Sequence, residues 1–323
     1  MYGDTPFGMA FWGHSAGELW ASRGTPTIAG MYPELDRLLA EQGGVVTSGQ
    51  ALTFLTRRDL ETQLKCGVLQ KVWHGVYGRG EITDALRLRG LDLSTGTEVA
   101  VCLTTAASMH GFDTEEDADL HVLNPGGRRL RSTDGLVVHR REGAPLTTIA
   151  GRPATTAAWT AIEVARGLRR PRALAAMDAA LRSRACSRGE LQRMLIRQTS
   201  RRGVVAVREL LPLASPQAES PMESEARLVM IDGGLPPPVL QYEIVDLSGR
   251  LWRFDFAWPE YRVAAEYDGV DWHSGPEAFF RDRRRSAAVQ DLGWVVVPIV
   301  AEDVRRRQAE LVARLERRLA RAA

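Results

Sequence analysis

Three acidic residues in the last third of the chain, Asp255, Glu266 and Asp268, stand where local geometry gathers carboxylates. They belong to two short runs, LWRFDFAW (251–258) and RVAAEYDG (262–269), joined through Pro259, Glu260 and Tyr261. Strand side chains alternate between faces. Trp252, Phe254, Phe256 and Trp258 are therefore predicted to share the core face, with Asp255 on the other. In the second run Val263, Ala265 and Tyr267 share a face, and Glu266 and Asp268 stand opposite, about 7 Å apart. A hairpin turn can set Asp255 beside them. Carboxylates crowded together repel unless a cation joins them, and hard divalent ions with oxygen ligands are the usual solution. Such a cation would polarise a phosphodiester and activate water. The alternative is that these acids are solvated or pair with Arg253, Arg262 and Arg281.

The elements that must position this cluster follow from the surrounding pattern. Ser220-Pro221-Met222-Glu223 reads as a capping box with Pro at the first helical position, and GGLPPP stops that helix. Strands are predicted at 241–246, 251–258 and 262–268. A helix from Pro276 to Leu292 ends at Gly293, an apolar strand follows at 294–300, and an Arg-rich helix at 302–319 closes the chain. The order is α-β-β-β-α-β-α. The arginines at 305–307, 314, 317 and 318 read most simply as a solvated helix face.

The chain's beginning carries different signals. Residues 1–30 are rich in Gly, Ser, Thr and Pro and are expected to be a disordered extension, or to lie upstream of the true start. Helices are predicted at 33–42, at 48–52 with Ser48 as cap, and at 57–66 with Thr56 as cap. Two β runs then flank His74-Gly75. Three helices and a β-hairpin within residues 31–95 make a winged helix-turn-helix. Arg57, Arg58, Glu61, Gln63 and Lys65 fall outside the apolar Leu60 and Leu64, and Arg and Gln suit guanine and adenine edges. Lys71, Trp73 and His74 on the wing are placed to touch phosphate. Winged helices also serve as protein-interaction modules. Residues 96–212 read as a mixed α/β middle domain, with strands at ADLHVL and GLVVHR and helices at 104–110, 155–166, 171–182 and 188–196. LPLASPQAESP marks its end.

Composition bounds the function classes. At 323 residues, 44% hydrophobic and 25% charged, the chain is a multidomain α+β or α/β globular protein. Its net charge of +2 leaves nucleic-acid affinity to local patches. Only Lys65 and Lys71 are lysines, so those patches are arginine. Cys66, Cys102 and Cys186 show no metal-ligand spacing and read as reduced thiols of a cytoplasmic protein. Neither a signal peptide nor a transmembrane run is recognisable.

Two resemblances add to this reading. VVTSGQAL, GVLQKVWHGVYG, LTTAASMHGF and ALAAMDAALR, within residues 31 to about 185, resemble the AbiEi-type antitoxin and transcriptional regulator group. That resemblance implies DNA binding by the winged helix and a middle regulatory or interaction domain. A cognate toxin or self-association is the implied partnership. Where relatives carry a TxxRTxxD-like stretch, this chain has ATTAAWTAIEVA, with Trp159 and Glu163. Residues 220 to about 310 of a C-terminal domain at 213–323, through AESPMES, the DFAWPE–EYDG pair and RDRRR followed by GW, resemble Vsr-like endonuclease domains of the PD-(D/E)XK superfamily. That resemblance implies Asp255 and Glu266 as acidic ligands, Glu223 as the acid from the first helix, and His273 with Arg281, Asp282 and Arg284 completing a DNA-cleaving site. The superfamily's lysine position is Asp268 here, and arginine cannot replace a lysine base. Water activation would then rest on metal with His273 or a carboxylate. The expectation is a DNA-binding protein with a Mg²⁺-dependent endonuclease domain for phage defence, restriction or repair. The alternative is a non-enzymatic antitoxin-like regulator with a degenerate nuclease domain.

Overall fold

The computed structural model of the chain describes residues 32–322 other than 113, 115, 116, 127–129 and 270–275. The expectations for residues 1–30 and for His273 fall outside it, as does the side chain of Arg281. The architecture is mixed α/β with several sheets, in two compact units, residues 1–94 and 95–323.

In the first unit, α1 (Pro33–Glu41), α2 (Ser48–Phe54) and α3 (Arg57–Lys65) precede the hairpin β2 (Gln70–Trp73) and β3 (Val76–Gly78). A short strand, β1 (Val45–Thr47), pairs antiparallel with β3, giving the sheet order β1-β3-β2. Local chemistry fixes these starts. Thr47, rather than Ser48, caps α2, in a capping box with Gln50, and Thr56 caps α3 in a second box with Asp59. Gly75, at φ +71°, makes the hairpin turn that an L side chain resists. Leu35, Leu39, Val46, Ala51, Leu55, Leu60 and Leu69 form the core, and α4 (Asp84–Thr95) follows the hairpin.

The second unit begins with α5 (Leu103–Met109) and two small sheets. β4 (Leu120–Leu123) and β5 (Leu136–His139) pair parallel. The β6 (Leu146–Ile149) and β7 (Arg152–Thr155) hairpin, absent from the sequence reading, pairs antiparallel. Four helices follow: α6 (Ala157–Ala165), α7 (Arg170–Arg182), α8 (Arg188–Arg197) and α9 (Val204–Leu210). α6 starts two residues later than predicted because β7 extends through Thr155.

The remaining elements are α10 (Pro221–Asp232), β8 (Val239–Val245), β9 (Leu251–Trp258), β10 (Val263–Tyr267), α11 (Pro276–Asp291) and β11 (Val295–Ile299). The predicted last helix is two, α12 (Ala301–Arg305) and α13 (Gln308–Ala322). The sheet runs β11-β10-β9-β8, with β10 and β11 parallel and the other pairs antiparallel. α10 and α13 cover one face, and α11 packs on the other through Val289. Gly233, at the end of α10, is held close to Val312 of α13: a Cβ there would lie 2.4 Å from a Val312 methyl.

α7 and α10 pack along their lengths, and Leu228 of α10 belongs to the helical core of residues 107–214. Between them Asp178 and Arg227, 0% and 7% exposed, form a 2.6 Å ion pair. Arg227 also donates to the Leu213 carbonyl, and the Ser215 N–H donates to Asp178. Burial pushes the Asp178 carboxyl above its usual range, while Arg227 and the Ser215 N–H pull it back. Removing one member strands a buried charge, which costs about 3–5 kcal/mol. Asp178→Ala is therefore expected to lower unfolding stability by about that amount in urea titrations. Asp178→Leu with Arg227→Met should recover most of it. A loss under about 1 kcal/mol for Asp178→Ala would refute this account.

Candidate functional site

The acids of the C-terminal sheet meet at a break in strand alternation. β8 and β9 pair in one continuous register, Leu240 opposite Phe256 and Tyr242 opposite Phe254. Between these pairs Gln241 adopts φ +49°, a conformation that non-glycine residues rarely take. Phe256 and Trp258 pack under α10 and α13, whereas Phe254 packs with Val289 and Trp294 on the other side. The prediction that Trp252, Phe254, Phe256 and Trp258 share a face is corrected: strict alternation fails at Asp255. The β10 assignment holds, with Val263 and Ala265 in one core and Ala264 in the other.

At the break, side chains replace backbone. The β9–β10 pairing ends at Ala265 opposite Phe256. The Asp255 carboxylate then accepts the Tyr267 N–H at 2.9 Å. Glu223 reaches in from α10. The Ser220 hydroxyl accepts the Glu223 N–H, giving half of the predicted capping box. The Glu223 carboxylate takes the Glu219 N–H at 2.8 Å and the Gln241 amide at 3.0 Å. Burial pushes the Glu223, Asp255 and Glu266 carboxyls above their usual ranges. Asp255 adds charge repulsion to both glutamates, and exposed Asp268 adds to Glu266. The structure thus couples Glu223, Asp255, Glu266 and Asp268.

The cation at this cluster is Arg285 of α11. Its guanidinium binds both oxygens of Glu266, one Nη1 contact measuring 2.8 Å, and also donates to the Arg253 carbonyl. It lies 5.9 Å from the ring centroids of both Trp252 and Phe254. Arg253 pairs instead with Glu219, and Arg262 reaches the Leu292 carbonyl. Sequence reading selected Arg281 and Arg284 from RDRRR, but Arg284 is exposed. The missed signal is helical spacing: Arg285 stands four residues before buried Val289, on the sheet-facing stripe.

This arrangement does not fit a resident Mg²⁺. That ion takes near-octahedral oxygen ligands, yet both oxygens of Glu266 are committed to an arginine. Among the described residues no three His, Cys, Asp or Glu side chains stand at metal-ligand spacing.

The predicted DNA-facing set divides in two. Arg57, Arg58 and Lys65 on α3 are exposed, as are Lys71 and His74 on the hairpin. Gln63 is buried, at 4% exposure, because it lies one turn from Leu60 on the inward stripe; it is corrected out of the set. Trp73 is also buried, donating its indole N–H to the Arg87 carbonyl at 2.7 Å under the Arg87 guanidinium. It is a core residue of this unit.

Sequence reading assigned no site residue to the middle segment, where the structure gathers a charged network. Glu163, almost fully buried, contacts Arg141 at 2.7 Å, Arg166 at 2.8 Å and Arg201 at 3.5 Å. Burial raises its carboxyl, but the hydrogen bonds of Arg166 and Arg141 overcome this and hold it below the ordinary range. Arg201 also lies over the Trp159 ring. A guanidinium from the α8–α9 connection thus serves Glu163 beside the Trp159 ring. Nearby, His121 joins Asp117 and His139, each at 2.8 Å, and burial beside His121 and Arg141 pushes His139 down to about 4.

Comparison with known proteins places this network in a matched segment. Residues 99–213 match the AbiEi antitoxin C-terminal domain. The chain is 54% identical over 268 residues to the uncharacterized protein Rv2248 of Mycobacterium tuberculosis strain H37Rv, covering 83% of this chain and 98% of the relative. The same values hold for the uncharacterized protein MT2308 of strain CDC 1551. Among solved structures, the RV2827C protein from Mycobacterium tuberculosis aligns with a TM-score of 0.42 and 16% identity, over 66% of this chain and 87% of that one.

The raised carboxyls set a pH dependence. A carboxyl whose folded pKa exceeds its unfolded value contributes stability that is present below the unfolded pKa and lost as pH rises through the folded one. Asparagine at 255 still offers an oxygen to the Tyr267 N–H but cannot ionise. Asp255→Asn is therefore expected to flatten the fall in Tm as pH rises from about 4 to 7. It should also leave Tm at neutral pH equal to or above that of the unsubstituted chain. Thermal melts across that range check this, and a steeper fall in the variant would contradict it.

Proposed function

The chain belongs to the same family as the Mycobacterium tuberculosis proteins Rv2248 and MT2308, and on that premise we propose that it is a DNA-binding regulator of the antitoxin type. The observation that carries this reading is the AbiEi antitoxin C-terminal segment at 99–213, preceded by the three-helix and hairpin unit. In this reading residues 31–95 are a winged helix. α3 enters the major groove with Arg57, Arg58 and Lys65, while Lys71 and His74 hold phosphate from the wing. Residues 96–212 form the regulatory domain, whose partner is a cognate toxin or a second copy of the chain. No helix among the described residues is long and apolar enough to cross a membrane. Residues 213–323 are a Vsr-like domain whose acids are held by Arg285, and its role is structural or in binding.

A second reading, a metal-dependent endonuclease acting in phage defence, restriction or repair, draws on one observation. Glu223, Asp255 and Glu266 come together at the sheet break within an α-β-β-β-α-β order. The Arg285–Glu266 pair weighs against it, since divalent cation entry requires that pair to open.

One pair of assays separates the readings. The full chain is expected to bind duplex DNA from its own promoter, and Arg57→Gln with Arg58→Gln should weaken that binding about tenfold or more. Supercoiled plasmid with Mg²⁺ or Mn²⁺ should remain uncut. Cleavage that disappears in both Asp255→Ala and Glu266→Ala would replace the regulator with the enzyme.

A further inference from the structure

α12 and α13 meet at a corner that presents arginines on one side. A groove of about 430 Å³ between them is lined by Asp303, Arg307, Glu310, Arg314 and Arg317, with two alanines. On α13, Arg314, Arg317, Arg318 and Arg321 recur at i, i+3, i+4 and i+7, which places them on one stripe of about 100°. The opposing charges are few and partly committed. Asp303 takes Arg314 at 2.9 Å, and Glu302 takes Arg307 at 2.8 Å. Arg314 also donates to the Pro298 carbonyl through the same Nη2, and its buried Nε has no acceptor. Arg317, Arg318 and Arg321 are exposed and have no ion pair or hydrogen bond among the described residues. Glu310 is the acid that shares their side of the helix.

We propose that this stripe is a nucleic-acid backbone contact, separate from the winged helix and made by the last helix of the second unit. The inference rests on the reading that the chain acts on DNA, and it adds a second place where DNA is held. Charge complementarity selects a polyanion. The apolar face of α13 is spent, because Leu311, Leu315 and Leu319 are buried against the sheet and α10. An anionic bilayer would therefore meet charge with no apolar face to insert. From Arg314 to Arg321 the stripe advances about 10 Å, or about three nucleotide steps of one strand. Guanidinium groups suit phosphate through their paired N–H donors. Arg307 and Arg314 are oriented by Glu302 and Asp303, while Arg317, Arg318 and Arg321 supply the free charge. The contact carries no sequence information, so it adds affinity equally to any duplex.

The experiment measures binding of the full chain to a short duplex by fluorescence anisotropy over a series of salt concentrations. It compares the promoter sequence with a scrambled one. Each phosphate contact contributes about 0.9 to the slope of log affinity against log salt. The variant Arg317→Gln/Arg318→Gln/Arg321→Gln is expected to lower that slope by about 2 to 3 on both duplexes. Lysine at the same three positions should preserve the slope. Because these side chains are exposed, the variant's thermal melt should match that of the unsubstituted chain, separating lost contact from lost fold. An unchanged slope in a folded glutamine variant overturns the proposal, as does an unsubstituted chain that binds acidic vesicles but no duplex. The two readings fail differently. If Arg57→Gln/Arg58→Gln removes promoter preference while the glutamine triple variant changes nothing, the regulator stands and this contact falls. If only the triple variant weakens binding, the contact stands and the winged-helix assignment falls.

Discussion

Asp178 and Arg227 are taken out of water together, and the second unit is organised around the place where they meet. Each pays a desolvation cost that only close pairing and further hydrogen bonds offset. Here Arg227 reaches the Leu213 carbonyl, and Asp178 takes the Ser215 N–H. These bonds fix the connection between the helical segment and α10 as well as the two helices. α10 then carries Glu223 to the sheet break at one end and, at Gly233, approaches Val312 of α13 at the other. The position of the acid cluster relative to the AbiEi-type segment therefore rests on this buried charge pair, with the Arg170–Asp232 pair and Leu228 joining the same two helices.

The cluster itself shows how a sheet can gather acids around an arginine of the same chain. Beside the left-handed residue Gln241, Asp255 occupies a hydrogen-bonding position that backbone normally fills. Glu266, on the other side, faces α11 and meets Arg285. The arginine is itself held by two aromatic rings and a carbonyl. The charge of Glu266 is thus offset from within the chain. Asp268, two residues after the second acid, remains in water.

Periodicity and caps made much of the fold legible. Thr56, Pro221 and the apolar run before Val300 mark element ends that the structure reproduces within a residue or two. Three features lay beyond that logic. The β6–β7 hairpin has a short, half-exposed pattern with no strong alternation. Gln63 and Trp73 look like surface chemistry by residue type, yet their burial is decided by Leu60 and by α4, which only tertiary packing reveals. Phe254 and Phe256 occupy opposite cores where β9 runs beside the left-handed Gln241 of β8, and simple alternation along β9 does not contain that break. The acids were identifiable from spacing, whereas their partner Arg285 depended on which stripe of α11 faces the sheet.

Leu228 carries a consequence for how this protein is divided. The recognisable AbiEi-type segment ends at residue 213, yet its core includes a side chain from residue 228 and its buried aspartate is neutralised from residue 227. The unit that is inherited and the unit that folds do not share a boundary. A fragment cut at 213 would carry Asp178 without its arginine and would open the seat of Leu228 to water. Shuffling of this segment between proteins therefore requires each new host to supply its own helix against α7.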